Sequence, residues 1–253
     1  MISVARISVT PVKCFRLNHP DEVLLGPDGV AGNRLFFLVN SEGERLRSSR
    51  TPWPVVVSAD YDRGAEMLTM TFPGGVEVCA SAVATGDALE CEIGKRPQPY
   101  RLVPGPWDEL LSELAGHGVR LGRIEQVGGT MVEPLTIVSS ASVAQLAREA
   151  GLESLDSRRF RSLFELDGCR AHEEDEWQGR RLRAGEALIE VGEPVIRCAV
   201  TTRDPDTGQR DLDTLALIAG YRGQGEEGEI LFARYGRVVE PGLVRVGDEV
   251  EVV

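Results

Sequence analysis

Short apolar stretches separated by turn-forming residues dominate the first hundred positions. Ile7 and Val9 alternate with polar neighbours, and Leu35-Phe36-Phe37-Leu38-Val39 is a continuous apolar run. Val55-Val56-Val57, Met67 to Phe72 and Val76-Glu77-Val78 follow, each read as a strand. Gly and Pro punctuate them at Gly26-Pro27-Asp28-Gly29, Asn40 to Gly43, Thr51 to Pro54 and Pro73-Gly74-Gly75. Short strands at close spacing with frequent turns predict a barrel or sandwich. A first helix is predicted from Trp107 to Leu114, where Leu110, Leu111 and Leu114 share a face, with Gly116 and Gly118 ending it.

The second half changes rhythm. Gly128-Gly129 marks a linker, and Leu135 to Val138 reads as a strand. Val143, Leu146, Ala147 and Ala150 then recur at helical spacing, with Ser142 and Gln145 as a capping box and Gly151 at the end. Another helical stripe, Leu212, Leu215, Ala216 and Ala219, predicts a helix from Asp211 to Ala219. Further strands are expected at Glu186 to Val191, across Cys198, at Glu229 to Phe232 and at Val244 to Val253. The pattern is β-rich α+β, organised as two units.

Composition narrows the function. Forty acids against 28 bases give the 253-residue chain a net charge of −12, which disfavours nucleic acid and anionic membranes as main partners. All but two of the bases are arginine, the exceptions being Lys13 and Lys95. Five cysteines, an odd count, argue for a reducing compartment, so a cytoplasmic protein is expected. There is no G-x-S-x-G elbow, P-loop, H-E-x-x-H or C-x-x-C, and the cysteine spacing fits no iron–sulfur cluster. The run His172-Glu173-Glu174-Asp175-Glu176 reads as a solvated acidic loop rather than a cation site.

Four segments carry chemistry. Thr10-Pro11-Val12-Lys13-Cys14 runs from a strand end into a lysine, which by itself reads equally as an exposed charge at a turn. Ser139-Ser140-Ala141-Ser142 sits between a strand and a helix, where free N–H groups can bind an anion or the serines can simply cap. Arg158-Arg159-Phe160-Arg161 places three guanidinium forks within four positions, suited to phosphate or to surface ion pairs. In Ile196-Arg197-Cys198-Ala199-Val200-Thr201-Thr202-Arg203-Asp204-Pro205-Asp206-Thr207-Gly208, an arginine and a thiol precede a rigid turn. A cationic neighbour suits a sulfur that acts as nucleophile or soft-metal ligand, although a lone cysteine in an apolar strand is more often inert.

Together these segments resemble MOSC-domain proteins, especially relatives of the mitochondrial amidoxime-reducing component. The R-C-x-x-T-T-x-D-P-D-T-G pattern at Arg197 to Gly208 is similar to the family's C-terminal signature. Pro11-Val12-Lys13-Cys14, Arg159-Phe160-Arg161, Glu176-Trp177 and Gly242 to Val250 resemble its other motifs, in the same order. Two positions depart: Ser162-Leu163 stands where relatives have Pro-Asn, and Cys14 where serine is common. The resemblance implies an N-terminal β-barrel-like domain over 1–123 and a MOSC β-barrel domain with a few helices over 124–253. It also implies a molybdenum pyranopterin cofactor between them. Carried over by position, Cys198 is the catalytic thiolate and metal ligand. Lys13, Cys14, Arg34, Ser139, Ser140, Arg161, Arg197 and Tyr235 hold the cofactor. The implied activity is an oxidoreductase removing oxygen from N-hydroxylated small molecules such as amidoximes and hydroxylamines. Electrons would come from a separate ferredoxin- or flavin-type protein. The alternative from another class is a carrier of the cofactor or its sulfur, with a persulfide on Cys198.

Overall fold

In the computed structural model, described over residues 1–47, 51–93, 96–124 and 132–253, seven strands close a barrel. Its order is β1 (Ile2–Ile7), β12 (Phe164–Asp167), β11 (Leu135–Ser139), β15 (Leu231–Glu240), β14 (Ala187–Ile196), β13 (Arg181–Ala184) and β17 (Glu249–Val252). β17 then pairs with β1. Only β11 and β12 run parallel; the other neighbours are antiparallel. Alternate side chains of each strand point inward, so Val4, Ile7, Ile137, Leu166, Leu182, Ile189 and Val250 fill the barrel.

The barrel takes its closing strand from the opposite end of the chain. Val23 and Leu25 of β2 (Glu22–Gly26) join the same core, because β2 pairs with β16 (Gly242–Arg245) on one side and the short β3 (Gly29–Val30) on the other. Residues 2–7 and 22–26 therefore pair and pack with strands of the second half. The expected linker at Gly128-Gly129 lies outside the described residues.

The remainder of the first half is two sheets around one core. β4 (Phe36–Asn40), β10 (Val119–Ile124), β9 (Arg96–Leu102) and β8 (Thr85–Ile93) form one sheet. β5 (Ser58–Asp62), β6 (Met67–Thr71) and β7 (Glu77–Ser81) form the other. With α1 (Trp107–Ala115) they enclose Phe36, Leu38, Leu68, Met70, Trp107 and Leu121. The uninterrupted apolar run in β4 has a physical cause: Phe36 and Leu38 face that core, whereas Phe37 and Val39 pack with Cys91 and Tyr100 on the sheet's other face.

Three local expectations need correction. Val55 and Val56 lie in a 3-10 helix, Trp53–Val56, because Pro52 and Pro54 deprive a strand ladder of two donors and Val57 N instead bonds Pro54 O. The helix α2 (Ser140–Glu149) is capped by Ser139 rather than Ser142, the Ser139 side chain accepting from Ser142 N. The last helix, α3 (Thr214–Arg222), starts later than Asp211 because Asp213 Oδ1 accepts from Ala216 N and fixes its first turn. α2 and α3 pack outside the barrel, where Val143, Leu146, Ile218, Phe160 and Phe232 share a small core. No helix among the described residues is long and apolar enough to cross a membrane.

Candidate functional site

The chemistry-bearing segments meet where the first-half loops lean on the outer face of β11, β15 and β14. Strand β14 is irregular near its end: its register with β15 shifts on both sides of Pro194, which has no N–H to offer. Cys198 then leaves the strand altogether, correcting the expectation of a strand through it. It begins a 3-10 turn, Ala199–Thr202, in which Thr201 N and Thr201 Oγ1 both donate to Cys198 O at 3.1 Å. This leaves the Cys198 side chain exposed.

The turn that follows is rigid. Asp204 Oδ1 accepts from Asp206 N, Thr207 N and Thr207 Oγ1, and Gly208 N donates back to Asp204 O. Gly208 adopts φ +72°, and a Cβ there would sit 2.2 Å from Pro52 O, so only glycine lets this turn press against the first-half loop. Arg158 spans Asp156 at 2.6 Å and Asp206 at 2.7 Å, and Arg159 pairs with Asp211 at 2.5 Å. The three-arginine segment thus splits by task. Arg158 and Arg159 tie the Cys198 turn to the segment at 156–161, whereas Arg161 has no carboxylate within 4.0 Å among the described residues.

A cleft of about 200 Å³ opens between these elements. Lys13, Cys14, Arg34, Arg161, Arg197, Cys198 and Tyr235, all sequence-predicted, line it together. Among the described residues its cations number five when Arg159 is counted, with no Asp or Glu in the lining, although the chain carries a net charge of −12. Two of these arginines also brace the halves of the molecule. Arg34 Nη2 donates to Arg161 O at 2.6 Å, and Arg161 Nη2 donates to Phe15 O at 2.7 Å. Cys14, Arg34 and Arg161, all lining the cleft, adopt φ of 77°, 53° and 51°, left-handed conformations that cost on the order of 1–3 kcal/mol each.

Electrostatics point the same way. Burial, helped by nearby Arg45 and Arg34, holds the Lys13 ammonium down to about 8. Burial also draws Arg34, Arg161 and Arg197 below the usual arginine range, Arg34 further so because Arg161 is beside it, yet all stay cationic at neutral pH. Burial pushes the Tyr235 phenol up, keeping it protonated. Arg197 is placed with care: Nε donates to Phe232 O at 2.7 Å, Nη1 donates to Phe160 O at 2.9 Å, and the guanidinium lies 5.3 Å over the Phe160 ring. Its remaining nitrogen, Nη2, is buried without a hydrogen-bond partner among the described residues. A buried donor of this kind, set among like charges, suits an anionic acceptor.

Ser139 and Ser140 are not brought to the cleft. Ser139 is fully buried, its hydroxyl 2.6 Å from Ser142 Oγ, and Ser140 Oγ donates to Asp167 Oδ1 at 2.8 Å. The helix start does meet an anion, but the chain supplies it. Glu174 Oε1 accepts from Ser142 Oγ at 2.7 Å and from Ser139 N. Glu174 is buried, so the run at 172–176 is not a wholly solvated loop, and burial raises its carboxyl. Sequence reasoning missed Thr136, Val132 and Ile196, which also line the cleft. A threonine inside the apolar run Leu135 to Val138 was the available signal for the first. A larger recess of about 630 Å³ beside the loop at 26–33 mixes Asp28 and Glu66 with its arginines and has no cysteine.

Residues 125–251 match the model of the MOSC domain. The chain belongs to the MOSC-domain family. Beyond that domain it is similar along almost its whole length to mitochondrial amidoxime reducing component 2 of Macaca fascicularis, 35% identical over 98% of this chain and 82% of the relative. It is likewise similar to mitochondrial amidoxime-reducing component 1 of Homo sapiens, 24% identical over 98% of this chain and 82% of that protein. Among solved structures, the YUAD protein from Bacillus subtilis aligns over 100% of this chain and 96% of its own, with 13% identity and a TM-score of 0.41. In this MOSC protein the domain proper contributes Arg161, Arg197, Cys198 and Tyr235 to the cleft, and the preceding segment contributes Lys13, Cys14 and Arg34.

Proposed function

We propose that the cleft holds a molybdenum pyranopterin cofactor through its phosphate and pterin, with Cys198 as the protein's sulfur ligand to the metal. The observation that carries this reading is the lining itself, which among the described residues has five cations, no carboxylate, and an exposed thiol at the edge. The residues fit such a group. Arg197 Nη2 is a buried donor awaiting an acceptor, and Lys13, Arg34 and Arg161 add positive charge where a phosphate would be neutralised. A thiolate is the ligand type that soft metals favour.

When bound, such a group supplies oxygen removal from N-hydroxylated compounds, R–NHOH + 2e⁻ + 2H⁺ giving R–NH₂ + H₂O. The chain's own residues hold, orient and insulate. Arg34 and Arg161 lock the two halves of the cleft around the cofactor, and the Asp204–Gly208 turn fixes the backbone that presents Cys198. The names of the relatives support the N-hydroxylated substrate class. Electrons are delivered by a separate ferredoxin- or flavin-type protein, since the sequence offers no dinucleotide or iron–sulfur motif.

The test is turnover of hydroxylamine or an amidoxime by the purified, molybdenum-loaded protein. Reduced viologen is expected to drive the reaction and NADH alone to fail. Cys198→Ala should abolish turnover in a folded protein, whereas a change at exposed Cys79 should leave it intact. A loaded wild type that stays inert with viologen overturns the reductase reading. Transfer of cofactor or sulfur to an apo-enzyme by that same protein would put the carrier reading in its place.

A further inference from the structure

Two large apolar side chains at the cleft lie open to solvent. Ile196 is 58% exposed and Val132 is 67% exposed, and both line the same cleft as Cys198. Ile196 is two residues from Cys198, in the segment re-aimed by the irregularity at Pro194. Val195, just before it, is buried at 5%, so the alternation of the strand turns Ile196 outward rather than into the core. The charged groups among the described residues of the cleft are all cationic, with no Asp or Glu among them.

We propose that Ile196 and Val132 form an apolar lip that selects N-hydroxylated substrates carrying an uncharged apolar or aromatic group, against small polar ones and against cationic ones. This inference rests on the reductase reading of the same site. The occupant follows from complementarity. An apolar substituent laid on Ile196 removes exposed hydrocarbon from water, which favours binding in proportion to the area covered. Among the described lining residues a cationic substituent finds no carboxylate to replace its hydration, and meets arginines instead. The N-hydroxyl group is the part left to face Cys198. Ile196 and Val132 are thus specificity residues, touching the substrate's remote end and not its reacting atoms.

The test uses the full-length, molybdenum-loaded protein and two readouts. Calorimetry gives the Kd of benzamidoxime, an uncharged aryl probe, and of a cationic N-hydroxyguanidine. Turnover of hydroxylamine, which has no carbon skeleton, is followed separately with reduced viologen. Ile196→Ser should weaken benzamidoxime binding about tenfold, and Ile196→Leu should restore it, with molybdenum content unchanged in both. The wild type should bind benzamidoxime more tightly than the hydroxyguanidine. An unchanged benzamidoxime Kd in Ile196→Ser, or tighter binding of the cation by the wild type, overturns the lip. A wild type that prefers benzamidoxime yet never reduces hydroxylamine keeps the lip and removes the reductase reading instead.

Discussion

Arg197 shows how much one residue settles. Two of its nitrogens are spent on the Phe232 and Phe160 carbonyls, which hold the guanidinium in place, and the third is buried with no partner. Arg161 gives Nη2 to Phe15 O and faces no carboxylate among the described residues. Each charge-assisted contact to an anion contributes roughly 1.5–3 kcal/mol. Arg161→Ala and Arg197→Ala should therefore each weaken cofactor retention about ten- to a hundredfold, measured as molybdenum kept through gel filtration. Exposed Arg63 is the control, and equal loss in all three variants would indicate general destabilisation. Lys13 adds a pH signature. Its ammonium is held down to about 8, so the cofactor-free protein should lose sulfate affinity as pH rises through that value. Lys13→Met should flatten that step; an unaltered pH profile in the variant would exclude Lys13 from the anion site. The residues themselves were legible: seven of the positions named from sequence line one cleft. The exposed lip was not, because exposure of Ile196 depends on a strand irregularity that periodicity does not reveal.

At the scale of elements, the sequence spoke clearly where one rule governed and poorly where two competed. α1 spans Trp107–Ala115 and stops at Gly116 in the left-handed conformation, close to the helix that the leucine spacing predicts. The valines at 55–57 mislead, since β-branched residues favour strands but the prolines at 52 and 54 remove the donors a sheet requires. The serines after β11 mislead differently. A strand-to-helix junction is a suitable anion site, but Glu174 reaches it from a segment 35 residues away in the chain, which no local pattern shows. Ser139 is consequently placed as a helix cap, away from the cleft lining. Ser139→Ala should cost about 1 kcal/mol of stability in denaturant melts while molybdenum retention per folded protein stays at the wild-type level. A selective loss of molybdenum in a protein with unchanged stability would return Ser139 to the site.

The whole molecule explains why the cleft exists. The first-half sheets and the barrel keep separate hydrophobic cores, yet the chain's first strand closes the barrel, so the two halves are held together by backbone pairing as well as by Arg34 and Arg161. Between them lies a pocket of five cations in a chain of net charge −12, an inversion that a uniform acidic surface would not produce. The β-rich architecture and a barrel could be read from strand spacing. The sharing of β1 could not, because pairing between residues 2–7 and strands more than 150 positions later leaves no local trace. The central claim is that this inverted pocket binds a molybdenum pyranopterin. Metal and pterin analysis of the protein purified from a cofactor-proficient host tests it most directly. Near-stoichiometric molybdenum with pterin in the wild type, and little in Arg197→Ala, is the expected result; wild-type protein that is folded and carries neither would contradict the account.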